Sequence, residues 1–252
     1  MAQNNEKYIL QSVDNALRIL NLFGTKPSLS LQQISDLLGL NRSTVFRTVA
    51  TLAHHGYLVK RDNGQYILGL RLLVLGNSAF FRSNLVRVFR PHMYNLAAVL
   101  QESIQLVVWA DDYHVILIDK TFPYATMQAD TYLGLAKYPH TSSTGLALLA
   151  QKTDAELDDY IEHVTFTEIT GHTITTPDAL RQAVEEIRRD KYAVNDQMSE
   201  IGLMSIAVPV LDQAGQPVAA ISVSGPRERI LEKKMSIVFR LRATANDVKD
   251  LL

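Results

Sequence analysis

Between residues 12 and 55 apolar side chains recur every three to four positions, in three short stretches separated by glycine and proline. Ser12 stands where it would cap the first stretch, whose stripe is Val13, Ala16, Leu17, Leu20 and Phe23, with Gly24 and Pro27 ending it. Ser30 opens a second helix with Leu31, Ile34, Leu37 and Leu38 on one side, and Gly39 closes it where a left-handed residue costs least. Asn41 caps a third helix to about His55, with Val45, Val49 and Leu52 on its inner face and Gly56 after it. The period then changes. YLVKRD and QYILG are β-prone runs joined by Asp62-Asn63-Gly64, a strong hairpin signal. Two helices joined by a tight turn and followed by a hairpin predict a winged helix-turn-helix over residues 1–69.

GLRLLVLGNSAFF continues in a helical pattern and predicts a linker helix over 70–83. Leu72, Leu75 and Phe81 are more apolar groups than one domain's surface needs, so this helix is expected to pack on a second copy of the chain. A helix with Val88, Met93, Leu96, Ala97 and Leu100 follows, with Pro91 as a kink or fresh start. From Ser103 the period is two: SIQLVVWA and YHVILIDKTF read as a hairpin around Asp111-Asp112, and TMQADTYL as strand-like. TGLALLA, DAELDDYIEHV and PDALRQAVEEIRRDK read as helices, GLMSIAVPVLD and PVAAISVSG as paired strands, and ERILEKKMSIVFRLRATANDVKDLL as one long terminal helix. Residues 84–252 are therefore expected to form an α+β domain around a mainly antiparallel sheet.

Composition narrows the function. The 252 residues include no cysteine, which excludes disulfides, thiolate metal sites and a cysteine nucleophile. The start of the chain is polar, and no run reaches the roughly 18 apolar residues that span a bilayer, so a cytoplasmic protein without a membrane partner is expected. The net charge of −1 conceals a division: residues 1–68 carry +3 and the remainder −4. A basic small domain beside an acidic large one fits a polyanion partner for the first. On the third helix, steps of 100° place Ser43, Arg47, Ala50, Thr51 and His54 opposite the apolar face. Small residues allow close approach to a major groove, Arg47 reaches a base edge or phosphate, and Arg42, Ser43 and Thr44 lie at the positive helix end. Lys60 and Arg61 sit on the wing. DNA is the expected partner.

These residues resemble the IclR family of bacterial transcriptional regulators. The resemblance rests on SVDNALRILNLF, LSLQQISDLLGLNRSTVFRTVATLAHHGYL and QYILGLRLLVLG in the first domain, and on HTSSTGLALLA, YAVNDQMSEIGLMSIAVPV and VAAISVSGP in the second. It implies a winged helix, a linker helix and an effector-binding domain with a GAF-like fold, assembled as a homodimer or homotetramer. It also implies operator binding controlled by a small organic-acid or aromatic effector, with no cofactor. Carried over residue by residue, the HTSSTG loop places Ser143 and Thr144 at an effector carboxylate. Ser222 and Ser224 are the paired strand serines, Ser205 precedes IAVPV, and Asn195-Asp196 is the polar pair before it. Period two sets Ser222 and Ser224 on one strand face, and small hydroxyls both leave room for a ligand and donate to an anion. Two positions depart from the family's pattern: Ser205 stands where some members have cysteine and Asn195 where an acid is common, so the effector need not be the keto acid of the founding members. Met127, Leu133 and Leu135 are candidates for the apolar end of the pocket.

A hydrolytic triad drawn from His140, Ser142 or Ser143 and Asp196 fails on context, because no G-x-S-x-G elbow follows a strand. The seven histidines show no metal-ligating spacing. The surviving alternative is a winged-helix module that binds another protein and senses nothing. Salt distinguishes the two, since DNA binding weakens steeply with ionic strength.

Overall fold

The computed structural model describes residues 8–82, 84–122 and 133–252, the side chains of 79–82 and 84 excepted. Met127 and all but the last residue of the expected strand TMQADTYL lie outside them. The chain divides into two units, one ending at Arg82 and one beginning at Ser83.

The first unit contains α1 (Gln11–Leu22), α2 (Leu31–Leu38), α3 (Arg42–His54), β1 (Leu58–Lys60), β2 (Tyr66–Leu68) and α4 (Arg71–Arg82). Local chemistry fixes its joints. Ser30 Oγ accepts the Gln33 N–H at 3.2 Å while Gln33 Oε1 accepts the Ser30 N–H at 2.8 Å, a reciprocal cap. Gly39 leaves α2 at φ +65°, in the left-handed region where a Cβ is penalised. Asn41 Oδ1 then accepts the Thr44 N–H at 2.8 Å, so α3 is capped two residues after Gly39. In the wing, the Gly64 N–H donates to Arg61 O at 2.9 Å and the Arg61 N–H to Gln65 O at 2.8 Å, closing a three-residue loop. The Leu29 backbone bridges Tyr66 and ties the α1–α2 connection to the wing. Ile19, Phe23, Ile34, Val45, Val49, Leu52, Leu58 and Tyr66 form one core.

α1 differs from expectation in two respects. It begins at Gln11 behind Leu10, which has no side-chain oxygen to offer, so Ser12 lies inside the helix and caps nothing. Its inner face is Asn15, Ile19 and Phe23, while Val13 and Leu17 are 52% and 56% exposed. The core shared with Val45 and Val49 takes Ile19 and Phe23 and packs Ala16 and Leu20 against them, so of the expected stripe only Val13 and Leu17 turn outward.

The second unit contains α5 (Asn84–Leu100), β3 (Ser103–Trp109), β4 (Val115–Thr121), β5 (Ala136–Lys137), α6 (Ser143–Leu149), α7 (Asp154–His163), α8 (Pro177–Asp190), β6 (Ala193–Asp196), β7 (Leu203–Leu211), β8 (Pro217–Pro226), α9 (Arg227–Glu232) and α10 (Lys234–Lys249). Helix α5 runs unbroken through Pro91. The six strands form one sheet in the order β5-β4-β3-β8-β7-β6, and every adjacent pair is antiparallel. Alternation splits its side chains between two cores. Ile104, Leu106, Ile206, Val208, Ile221 and Val223 meet α5, α9 and α10 on one face. On the other, Val107, Val115, Leu117, Ala193, Ala207 and Ala220 meet α6, α7 and α8. The small alanines let α6 lie against the sheet with all seven residues buried. Pro139–Thr141 forms a 3-10 turn just before α6, and Gly145 makes that approach possible, because a Cβ there would come within 2.2 Å of Pro139 O. The expected single terminal helix is two: Lys233, at φ −95° and ψ 5°, caps α9 and begins α10, and its Nζ is held by Leu100 O at 3.1 Å.

Candidate functional site

Helix α3 presents Ser43, Arg47, Ala50, Thr51 and His54 to solvent, opposite buried Val45, Val49 and Leu52. Thr51 Oγ1 donates to Arg47 O at 2.9 Å and Ser43 Oγ to Asn41 Oδ1 at 2.9 Å, so both hydroxyls are held against their own helix. The Arg42 guanidinium hydrogen-bonds Gln32 Oε1 across the α2–α3 turn. Thr44 is half-buried, and Lys60 and Arg61 are exposed at the end of β1 and the start of the loop. Arg47, Thr44, Thr48 and Thr51 also line an open depression between α3 and α1, walled by Gln11, Ser12 and Asn15. Sequence reasoning passed over Phe46, which is 57% exposed beside Arg47. An exposed aromatic next to an arginine was the signal for it.

In the second unit, register brings polar residues together on the sheet face below α6. Asn195 pairs with Ser205, Ser205 with Ser224, and Ala207 and Gln105 each with Ser222. Ser143, the first residue of α6, reaches down so that its Oγ lies 2.7 Å from Ser205 Oγ. Ser142 Oγ accepts the Gly145 N–H at 3.1 Å, which leaves the Ser143 and Thr144 amides ahead of any i−4 carbonyl. Asn195 Oδ1 accepts the Met198 N–H at 2.8 Å and its Nδ2 donates to Ser199 Oγ at 3.1 Å.

Between this face, the start of α6 and β5 lies a cavity of about 380 Å³. Gln105, Ser143, Thr144, Asn195, Ser199, Ser205 and Ser224 supply its polar wall, and Val107, Val115, Leu117, Leu135 and Ile169 its apolar wall. Lys137, Tyr138 and His140 also line it, and no carboxylate does among the described residues. Lys137 is exposed as a whole residue, and desolvation beside the cavity pulls its pKa below its ordinary value. Burial also pushes His140 down to about 4, so the imidazole is neutral at physiological pH.

Of the expected effector residues, Ser143, Thr144, Asn195, Ser205 and Ser224 line the cavity and two do not. Asp196 alternates away from Asn195, and its carboxylate receives Arg227 Nε at 2.7 Å and Nη2 at 3.0 Å; that guanidinium holds its pKa below the usual carboxylate range. Ser222 is packed beneath the wall, and its Oγ has no partner among the described residues. Leu133 is exposed and lies off the wall. Sequence reasoning missed Gln105, Lys137 and Tyr138, and treated His140 only as a triad base. His140 Nδ1 instead meets Tyr160 Oη at 2.6 Å.

Comparison with known proteins agrees with both halves. The family model described as the IclR helix-turn-helix domain matches residues 12–62, and that of the bacterial transcriptional regulator IclR C-terminal domain matches residues 78–250. The chain is 31% identical to the HTH-type transcriptional regulator BhcR of Paracoccus denitrificans over 90% of its length and 81% of that protein's. It is 28% identical to the regulator KdgR of Dickeya chrysanthemi, covering 96% and 79%. The crystal structure of an IclR homolog from Microbacterium hydrocarbonoxydans, complexed with 4-hydroxybenzoate, superimposes with a TM-score of 0.78 at 25% identity, covering 94% of this chain and 97% of that one. With an exposed helix-turn-helix face in one unit, a polar-walled cavity in the other and both family domains matched in order, the chain belongs to the IclR family of transcriptional regulators, a DNA-binding protein with an effector-binding domain and not an enzyme.

Proposed function

We propose that this regulator controls a metabolic operon through a carboxylate effector bound at the α6–sheet cavity. The observation that carries the reading is the wall itself: hydroxyls from α6, β7 and β8, one lysine, and no carboxylate among the described residues. Such a surface favours an anion by charge and by donors, and the apolar wall suits a short aliphatic or aromatic body. The ligand in the Microbacterium homolog is of this class. Ser143 and Thr144 offer amides and hydroxyls to the carboxylate, with Ser205, Ser224 and Asn195 beneath; Asp196 and Ser222 act from behind the wall, through Arg227 and through packing. In the other unit Arg47 reads a base edge, Ser43 and Thr51 meet the groove, Arg42 and Thr44 lie at phosphates beside the α3 N-terminus, and Lys60 and Arg61 carry wing contacts.

The protein works in the cytoplasm as a homodimer or homotetramer. Leu73, Val74 and Leu75 are exposed along α4, an apolar surface that a second copy would cover, and one winged helix needs a partner to read a second half-site. Thermal-shift measurements against carboxylates, sugar acids and aromatic acids test the reading, because a ligand that binds only the folded state raises its melting temperature. Binding of neutral sugars or amines in place of every acid would overturn it.

A further inference from the structure

We infer that His140 is a specificity-determining residue of the effector cavity, donating its Nε2–H to an oxygen on the effector other than the carboxylate. The inference rests on the effector reading above and selects within it: the effector is a hydroxy, keto or ring-hydroxylated acid, and its deoxygenated analogue is the poorer ligand.

The argument is one of proton placement. His140 sits in the turn before α6, is 0% exposed and forms part of the cavity wall. Its ring cannot turn freely. Tyr138 lies 5.7 Å away at an interplanar angle of 16°, Phe166 lies 4.8 Å away at 35°, and Tyr160 stands at the edge, 6.0 Å away at 63°. A flip of the ring would break the 2.6 Å contact between Nδ1 and Tyr160 Oη. That contact has a direction. Burial raises the Tyr160 pKa, so the phenol keeps its proton. A buried O–H needs an acceptor, and Nδ1 is the one within reach. Nδ1 therefore accepts, and in a neutral imidazole the other nitrogen carries the hydrogen.

Nε2–H is thus a donor of fixed position. It is enclosed, and it has no hydrogen-bond partner among the described residues. An unpaired buried donor is a destabilising feature, which a bound acceptor would relieve. A site built to pair a ligand oxygen rejects the analogue lacking it far more strongly than an apolar wall can distinguish shapes. The donor is also neutral, so it adds no charge for a second carboxylate. Lys137 is the wall's one cation among the described residues.

The experiment has two arms. In the first, two-bond nitrogen–proton correlation spectra of histidine-labelled protein report the tautomer directly. The expected result is His140 as the neutral Nε2–H form at pH 7; an Nδ1–H tautomer or an imidazolium would overturn the inference before any ligand is added. In the second, calorimetry compares the matched probes pyruvate with propionate and 3-hydroxybenzoate with benzoate. In the wild type the oxygenated member of at least one pair binds about tenfold or more tightly, as expected for one buried hydrogen bond. His140→Phe removes that ratio, and His140→Gln, which keeps a nitrogen donor near the Nε2 position, restores most of it. If the Phe variant does not fold, Tyr160→Phe replaces it: with the phenol gone the tautomer is no longer dictated, and the ratio falls. Binding of both members of a pair with equal affinity in wild type, or a ratio that His140→Phe leaves unchanged, sinks this inference and leaves the carboxylate reading standing. No binding of any probe, where neutral sugars or amines do bind, sinks the carboxylate reading itself.

Discussion

Ser143 Oγ lies 2.7 Å from Ser205 Oγ, joining the first residue of α6 to β7, the strand next to the sheet's edge. The two hydroxyls are 62 positions apart in the chain, and both are buried. The bond holds the start of α6 over the polar sheet face, and the same hydroxyls form part of the cavity wall.

Ser205→Ala is therefore expected to act twice. It leaves Ser143 without its partner, at a cost of about 1 kcal/mol in folding stability, and it lowers affinity for an identified carboxylate effector by roughly tenfold. Denaturant unfolding and calorimetry check the two effects separately. Unchanged effector affinity would remove Ser205 from the site.

Arg47→Ala should weaken operator binding while fold and oligomeric state stay intact, since Arg47 is exposed opposite the buried face of α3. A guanine contact corresponds to a loss of about 1–3 kcal/mol with relaxed preference at one base pair; a phosphate contact weakens all sequences alike and lowers the salt slope by about one. Fluorescence anisotropy across a salt series distinguishes these outcomes, and an unaltered affinity argues against α3 as the reading helix.

The two halves of the protein were legible in the sequence to different degrees, for a physical reason. Ser30, Gly39, Asn41 and Gly64 act on backbone groups within five residues, so residue type and spacing suffice to read the joints of the first unit. In α1 the core takes Ile19 together with Ala16, Leu20 and Phe23 of the expected stripe and leaves Val13 and Leu17 exposed, a tertiary choice that spacing alone does not make. In the second unit strand alternation set only Ser222 and Ser224 on one face; the other effector positions follow from the family resemblance, which carries no sign that Arg227, 31 residues on, draws the Asp196 carboxylate away. His140 has the same history: Tyr138, Tyr160 and Phe166 bury it, and two of these belong to later segments whose approach only the fold determines.

Gly145→Ala tests the contact between α6 and the turn before it. The added Cβ would lie 2.2 Å from Pro139 O and 2.4 Å from its Cα, both backbone atoms that cannot move aside cheaply. A loss of about 2–4 kcal/mol is expected, in the range of forced backbone shifts and overpacking. Thermal unfolding reads it, and a variant as stable as wild type would mean that α6 slides without penalty.

Acid should destabilise the second unit through His140. Its folded pKa of about 4 lies below the ordinary 6.5, with burial the cause. Between these values the unfolded chain binds the proton more readily, so stability rises with pH across the window and is lost as pH falls through it. The full effect is roughly 3 kcal/mol at one pKa unit per 1.36 kcal/mol. Unfolding free energies measured from pH 4 to 7 should show this slope in the wild type and a flatter one in His140→Phe; equal slopes would assign the acid sensitivity elsewhere.

Ser222 and Ser224 lie two residues apart on one strand face, yet opposite consequences are expected for them. Ser224 lines the cavity, so Ser224→Ala should lower effector affinity by roughly tenfold or more, the value of a hydrogen bond to a charged group. Ser222 Oγ is buried without a partner among the described residues and stands outside the wall. Ser222→Ala removes an unsatisfied hydroxyl at the cost of a very small void, so stability should hold or rise by up to about 1 kcal/mol while effector affinity is unchanged. Calorimetry and unfolding on the two single variants give the comparison. A loss of affinity in Ser222→Ala equal to that in Ser224→Ala would show that the bound effector draws Ser222 into the wall, and the serines would then act as a pair.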